Sequence, residues 1–322
     1  MTKILCTMPE LTYRRMRLPE QEADLNALGE VVFCLDAKTM GEQEYDALWE
    51  NADAVLTGWG TRPPSPAVLE RAKNLRVISH TAGSVRWLPR RALECGIIVT
   101  SAQAGIARTV AEYCLLSAIL LLRRHSDLLA GGRPPTETLY GKTVGLVGFG
   151  HVARLFRQLL VPFGCRALVS DPALSEEDTI RFAVERTDLP TLLASSKIIS
   201  LHAPDIPSTR GLIGARELAL IADGAVFLNS ARGCLVDTDA LTDALKTGRF
   251  AAALDVTEPE PLPLDHPLRG LPNVVLTPHI AGPTDDDLPE MTRMALDDLA
   301  RVLGGVPPRR PISLETYDAM SF

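Results

Sequence analysis

Thr143 to Asp171 reads TVGLVGFGHVARLFRQLLVPFGCRALVSD, and the rest of the chain is read outward from it. Val144 to Val147 is a short apolar run of the kind a strand buried on both faces requires. Gly148-Phe149-Gly150-His151-Val152-Ala153 follows, then a helix-like segment, Val152 to Leu160, and a second strand-like run, Ala167 to Ser170. Gly148 permits a tight turn out of the strand. Gly150 presents bare backbone. The helix start offers unpaired N–H groups and the positive end of the helix dipole to an anion. Ala153 stands where the third glycine of a G-x-G-x-x-G pattern falls, a position that needs only close helix–strand packing. Asp171 lies about 20 positions beyond Gly150, the spacing of an acid that accepts hydrogen bonds from a ribose. Strand, glycine turn, helix, strand and acid together specify a dinucleotide site. Asp171 would repel a 2'-phosphate, and Pro172-Ala173-Leu174 supplies no arginine, so the expected cofactor is NAD.

The chain has 322 residues, 46% hydrophobic and 23% charged, with a formal charge of −7. That suffices for two ordinary domains with cores of their own, and no basic excess supports nucleic-acid binding. Cys6, Cys34, Cys95, Cys114, Cys165 and Cys234 are scattered and form no C-x-x-C pair, so they read as reduced thiols of a cytoplasmic protein, with no metal site. Met1 to Leu5 enters a strand-like run without a signal peptide. The apolar stretch at 114–122, closed by Arg123 and Arg124, reads as too short for a membrane span.

Ahead of the glycine-rich stretch, Ile4–Cys6, Val31–Cys34, Ala54–Leu56, Val77–Ser79 and Ile97–Val99 recur at the spacing of βα units. Beyond it, Ile198–Leu201, Ala225–Leu228, Ala251–Leu254 and Val274–Leu276 continue the rhythm. This predicts two doubly wound parallel-sheet α/β domains. Thr109-Val110-Ala111-Glu112 matches a capping box and predicts a helix from there to about His125, apolar nearly all round and buried between layers. Residues 126–142, with Gly131, Gly132, Pro134 and Pro135, read as a connector. Thr284 to Leu303 reads as a final helix with an acidic start.

Three polar residues follow three of the late strands: Arg232 after Leu228-Asn229-Ser230-Ala231, Glu260 in Asp255-Val256-Thr257-Glu258-Pro259-Glu260-Pro261, and His279 in Leu276-Thr277-Pro278-His279. In a parallel sheet these loops open on the same edge as Gly148 to Ala153. Arginine matches a carboxylate, histidine exchanges a proton near neutral pH, and a glutamate beside it orients the ring and favours its charged form. These parts suit hydride transfer to or from a 2-keto acid while one proton follows. His202, ending a strand in Leu201-His202-Ala203-Pro204, reads as structural.

Asn-Ser-Ala-Arg-Gly at 229–233, Leu-Asp-Val-Thr-Glu-Pro-Glu-Pro at 254–261 and Thr-Pro-His-Ile-Ala-Gly at 277–282 resemble the signatures of the D-isomer-specific 2-hydroxyacid dehydrogenases. So does Leu-His-Ala-Pro with Ser-Thr-Arg-Gly-Leu-Ile between 201 and 213. The resemblance implies a flavodoxin-like substrate domain at 1–102 plus 286–322, completed by the returning last helix. It implies a Rossmann NAD-binding domain at 103–285, an active-site cleft between the two, and a homodimer. It assigns Arg232 to the substrate carboxylate and carbonyl, His279 to acid/base work and Glu260 to its support. Beside Gly148 and Gly150, it assigns cofactor contacts to His151, Val152, Asp171, Ala203, Thr209, Ser230, Ala231, Asp255 and Gly282. Gly83, Ser84 and Val85 match its substrate-carboxylate loop, whose backbone N–H groups do the binding, and Trp59, Trp87 and Arg86 stand where they could shape the pocket. Ser84-Val85-Arg86 departs from the pattern, lacking the usual glycine and aspartate, which bears on substrate class. Two other readings stay open: an NAD-sensing corepressor-like scaffold, and a dehydrogenase for another small anion. Glu260 argues against formate, for which the superfamily carries glutamine, and says less about phosphite.

Overall fold

The computed structural model describes residues 1–125, 129, 131, 132 and 135–321. Residues 126–128, 130, 133 and 134 of the expected connector lie outside the described residues. The chain divides into two compact units, Met1–Ile106 with Pro283–Phe322, and Ala107–Gly282.

In the first unit β1 (Lys3–Thr7), β2 (Glu30–Cys34), β3 (Ala54–Thr57), β4 (Val77–His80) and β5 (Ile98–Ser101) form a five-stranded parallel sheet in the order β2-β1-β3-β4-β5. Successive side chains leave opposite faces of a strand, so each apolar run feeds two cores. Leu5, Val55, Ile78 and Val99 join Tyr45 and Trp49 on one face. Ile4, Cys6, Ala54, Leu56 and Val77 meet Leu288, Met291 and Leu299 on the other. Burial on both faces is why these strands read as continuous apolar runs. Edge strand β2 buries only Cys34.

In the second unit β6 (Thr143–Val147), β7 (Arg166–Ser170), β8 (Glu185–Arg186), β9 (Ile198–Leu201), β10 (Val226–Asn229), β11 (Ala251–Leu254) and β12 (Val274–Leu276) form a seven-stranded parallel sheet. Its order, β12-β11-β10-β9-β6-β7-β8, reverses between β6 and β9, the switch point where doubly wound folds bind ligands. Strand β8 is absent from the sequence reading. It is two exposed residues, Glu185 and Arg186, with no apolar run to betray it.

Two helices differ from the sequence expectation. Helix α1 (Gln103–Leu122) begins ahead of the Thr109 capping box, which lies inside it. The Ser101 hydroxyl accepts a hydrogen bond from the Gln103 N–H at 3.2 Å, so the first turn is supported upstream. Gly105 lets that turn lie against Met291, whose Cγ would sit 2.7 Å from an added Cβ. The helix is buried on one face only, through residues such as Val110, Ala111, Cys114, Ala118 and Leu122, while Leu116 is 53% exposed. At 20 residues it is also long and apolar enough to cross a membrane by length and composition, contrary to the sequence reading. Helix α2 (His151–Leu160) follows the glycine turn. The last long helix, α3 (Leu288–Leu303), starts later than Thr284, because the Thr284 N–H and hydroxyl both donate to the Asp287 carboxylate and close a turn first. Beyond it lies the short helix α4 (Leu314–Asp318).

Candidate active site and dinucleotide site

Gly148 leaves β6 at φ +91°, the left-handed region that glycine enters without penalty. A Cβ there would lie 2.7 Å from the Ala203 backbone nitrogen, so the turn requires glycine twice over. Gly150 differs. An added Cβ would meet nothing within 4 Å, which leaves open space over the backbone at the start of α2. No side chain caps this helix, so its first N–H groups remain available to an anion. Ala153 is fully buried, the packing role its place in the pattern requires. Desolvation, then the charge of Arg154, push the pKa of His151 below the ordinary histidine value.

Asp171 is tied to this turn. Its Oδ2 accepts the Phe149 N–H at 2.6 Å and its Oδ1 accepts the Ala173 N–H at 2.7 Å. Two arginines missed by the sequence reading stand close by. Arg154 pairs with Asp178 at 2.8 Å and donates to the Phe149 carbonyl at 3.2 Å. Arg186 donates to the Leu174 carbonyl. Thr209 turns inward: its hydroxyl donates to the Pro204 carbonyl at 2.5 Å and accepts the Ile206 N–H at 3.1 Å, closing its own loop. Ala203 packs in the core, while Val152 and Gly282 are half-buried.

The loop after β10 is drawn in by Asn229. Its Oδ1 accepts the Ala231 N–H at 3.1 Å and its Nδ2 donates to the Arg232 carbonyl at 2.9 Å. Gly233 lies so close to the neighbouring loop that a Cβ would sit 2.1 Å from the Thr257 carbonyl. Arg232 is half-buried and donates Nη1 to the Ala231 carbonyl at 2.8 Å. It forms no ion pair among the described residues, so a cation withdrawn from water retains guanidinium donors for an anion.

Asp255 directly follows β11 and is 2% exposed. Its carboxylate accepts the Thr277 hydroxyl at 2.6 Å and the Ile280 and Ala281 N–H groups at 2.8 and 2.9 Å, and its carbonyl accepts the His279 N–H at 2.8 Å. Asp255 therefore builds the histidine loop. That loop carries His279 at φ +56°, unusual outside glycine and a mark of functional sites. His279 Nδ1 lies 2.6 Å from Glu260 Oε1, and both side chains are exposed, at 49% and 42%. Behind them α1 supplies Tyr113, whose hydroxyl lies 2.5 Å from Thr277 Oγ1, and Cys114, whose sulfur lies 3.1 Å from Ser230 Oγ. No sequence signal announces contacts across 164 and 116 residues. Within the described residues no histidine, cysteine, aspartate and glutamate cluster could hold a metal ion.

In the first unit, the loop after β4 leaves the N–H groups of Gly83, Ser84 and Val85 without acceptors among the described residues. The Ser101 hydroxyl holds it from behind, reaching the Ala82 and Gly83 carbonyls at 3.0 and 2.5 Å. Gly83 and Ser84 are half-buried, whereas Val85 is buried as a whole residue, backbone included. Trp59 is half-buried, with the Arg15 guanidinium 5.4 Å from its ring centre. An open groove of about 980 Å³ lies elsewhere in this unit, between Leu69, Arg76, Arg91, Ile97 and Val306; Arg91 is already paired with Glu70 and Glu94.

Known proteins resemble this chain in sequence and fold. The profile of the "D-isomer specific 2-hydroxyacid dehydrogenase, NAD binding domain" matches residues 122–281. A glyoxylate reductase of Thermofilum pendens is 36% identical over 263 residues, covering 77% of this chain and 78% of that protein. A D-3-phosphoglycerate dehydrogenase of Archaeoglobus fulgidus is 33% identical over 265 residues, 79% of this chain and 50% of its own, so the chain spans about half of that relative's length. Among solved structures, a phosphoglycerate oxidoreductase from Rhizobium etli matches with a TM-score of 0.80 and 28% identity, covering 97% of this chain and 98% of that one. D-lactate dehydrogenase with NAD+ from Lactobacillus jensenii matches with a TM-score of 0.78 and 25% identity over 97% and 100%. A seven-stranded sheet that reverses beneath a glycine turn, and relatives that share both units, place the chain in the D-isomer specific 2-hydroxyacid dehydrogenase family, with that family's NAD-binding domain in its second unit.

Proposed function

We propose that this chain reversibly reduces a 2-keto acid to the D-2-hydroxy acid with NADH. The observation that carries the reading is the His279–Glu260 contact at 2.6 Å, in the same unit as the half-buried, unpaired Arg232 and the dinucleotide turn. Bound NADH supplies the hydride and its electron pair. The residues of the chain do the rest. Arg232 holds the substrate carboxylate and polarises its carbonyl. His279 delivers a proton from Nε2 to the carbonyl oxygen as negative charge develops there, and Glu260 holds the ring through Nδ1. In the reverse direction His279 takes the hydroxyl proton. The loop at Gly83, Ser84 and Val85 binds the substrate carboxylate, through the N–H groups of Gly83 and Ser84, which lack acceptors among the described residues and are only half-buried. Six free cysteines and no cysteine pair among the described residues suit a cytoplasmic setting. The half-exposed apolar face of α1, at Leu115, Leu116, Ile119 and Leu120, suits a homodimer.

The test is NADH oxidation across 2-keto acids of graded size and charge, with NADPH in parallel. Turnover of at least one keto acid, lost for the most part in His279→Ala, is expected. Binding of NADH without turnover of any keto acid would favour the other two readings, and phosphite-dependent reduction of NAD then separates a dehydrogenase for another small anion from a cofactor-sensing scaffold.

A further inference from the structure

Ser84 and Arg86 are the residues at which the loop after β4 departs from the family pattern, and both are gripped by one distant segment. The Ser84 hydroxyl donates to the Ser321 carbonyl and also accepts the Arg86 N–H at 3.3 Å. The Arg86 guanidinium lies 4.8 Å from the Tyr317 ring centre, donates to the Tyr317 carbonyl at 3.4 Å and stands 3.7 Å from the Asp318 carboxylate. Its side chain is only 16% exposed. Arg90 then takes both Asp318 oxygens at 3.0 Å. The Tyr317 hydroxyl, itself buried, donates to the Leu88 carbonyl at 2.6 Å. The segment is anchored independently of the loop: the Ile312 N–H reaches the Val99 carbonyl at 2.8 Å, and Ser313 caps α4.

We propose that α4 and Ser321 form a brace that fixes the 82–86 loop, with Ser84 and Arg86 as positioning residues for the backbone N–H groups that receive the substrate carboxylate. The inference rests on the assignment of that loop to substrate binding. A glycine at 84 and an aspartate at 86 could make neither the hydroxyl contact nor the stacked guanidinium contact, so the departure from the pattern and the brace explain each other. An exposed ion pair such as Arg90–Asp318 contributes little stability. The largely buried Arg86, stacked on Tyr317 and bonded to its carbonyl, instead restricts geometry, and recognition of a carboxylate by backbone amides depends on geometry.

The test uses the whole protein and the variants Ser84→Ala, Arg86→Gln and Asp318→Asn. Asp318 is half exposed, so its variant leaves the core untouched. Amide hydrogen exchange of residues 82–88 is measured beside steady-state kinetics with glyoxylate, the smallest 2-keto acid, as the probe. Faster exchange in that loop is expected, with the glyoxylate KM raised roughly tenfold while kcat and the NADH KM hold, because a positional error of about 1 Å weakens recognition without touching the proton donor. Unchanged exchange would mean that no brace exists, whatever the kinetics. Should the wild type ignore glyoxylate, the smallest keto acid it turns over takes its place as the probe; faster exchange with an unchanged KM for the probe would overturn the substrate assignment of the loop and the proposal with it.

Discussion

His279 Nδ1 and Glu260 Oε1 lie 2.6 Å apart across 19 residues of chain, on separate loops that leave adjacent strands. The histidine loop is pinned by four hydrogen bonds to Asp255, and the glutamate loop by the Thr238 and Thr257 hydroxyls, which donate to the Glu258 and Pro259 carbonyls at 2.7 and 2.9 Å. The pair is exposed yet held from both sides. One ring nitrogen faces the carboxylate, and the other makes no hydrogen bond among the described residues.

His279→Ala should lower kcat/KM by about 10²–10⁴-fold, the usual contribution of a positioned acid or base. Glu260→Gln keeps a hydrogen-bond acceptor but loses the charge that stabilises the proton donor, so an intermediate loss is expected, on the order of tenfold or more. Keto-acid kinetics of both variants check this. A His279→Ala enzyme near the wild-type rate would exclude the proton role.

Arg232→Lys retains charge and loses the planar fork. A loss of about 10²-fold or more in kcat/KM is expected, with NADH affinity nearly unchanged, as read by fluorescence titration and turnover. Wild-type turnover in this variant would remove Arg232 from substrate anchoring.

Gly233→Ala should damage the same loop through packing alone. The new methyl would sit 2.1 Å from the Thr257 carbonyl, so the backbone must move, at a cost of about 1–3 kcal/mol or more. A lowered thermal midpoint together with loss of activity is expected. An undiminished midpoint would show that the loop yields freely.

NADH should be preferred over NADPH by on the order of 2 kcal/mol or more, because a 2'-phosphate would face the Asp171 carboxylate. Asp171→Ala should narrow the gap, leaving Arg154 and Arg186 as the nearby cations. The ratio of kcat/KM for the two cofactors decides, and equal values in the wild type would contradict the assignment.

Burial pushes the His80 and His202 pKa values down to about 3. His80 rests on the Thr57 hydroxyl at 2.9 Å and against Trp87, and His202 has Nε2 shut away from solvent beside Phe156. An unfolded histidine titrates near 6.5, so between that value and 3 the unfolded chain binds protons that the folded chain does not. The contribution of each is therefore complete above about pH 6.5 and is lost as pH falls toward 3, with a slope of up to about 1.4 kcal/mol per pH unit. Denaturant midpoints followed through this window should fall, and less steeply in His202→Phe. An identical fall in that variant would show that His202 carries none of it.

The sequence by itself determined the two parallel sheets, the glycine turn and the membership in an NAD-binding family. Strands buried on both faces must be continuous apolar runs, and Gly148, Gly150, Ala153 and Asp171 act within one βαβ unit, so both signals are local. Only the tertiary structure decided what holds the site. Asp255 supports the His279 loop, Asn229 draws in the Arg232 loop, and Tyr113 and Cys114 reach both from α1. It also decided where α1 begins, since the Ser101 hydroxyl offers an acceptor upstream of the Thr109 capping box. Ser84 and Arg86 look like lapses in a pattern until Tyr317, Asp318 and Ser321 are brought against them. A hydrogen-bond partner more than 200 residues away leaves no trace in local periodicity, because spacing records which face a residue occupies and only packing decides what it meets there.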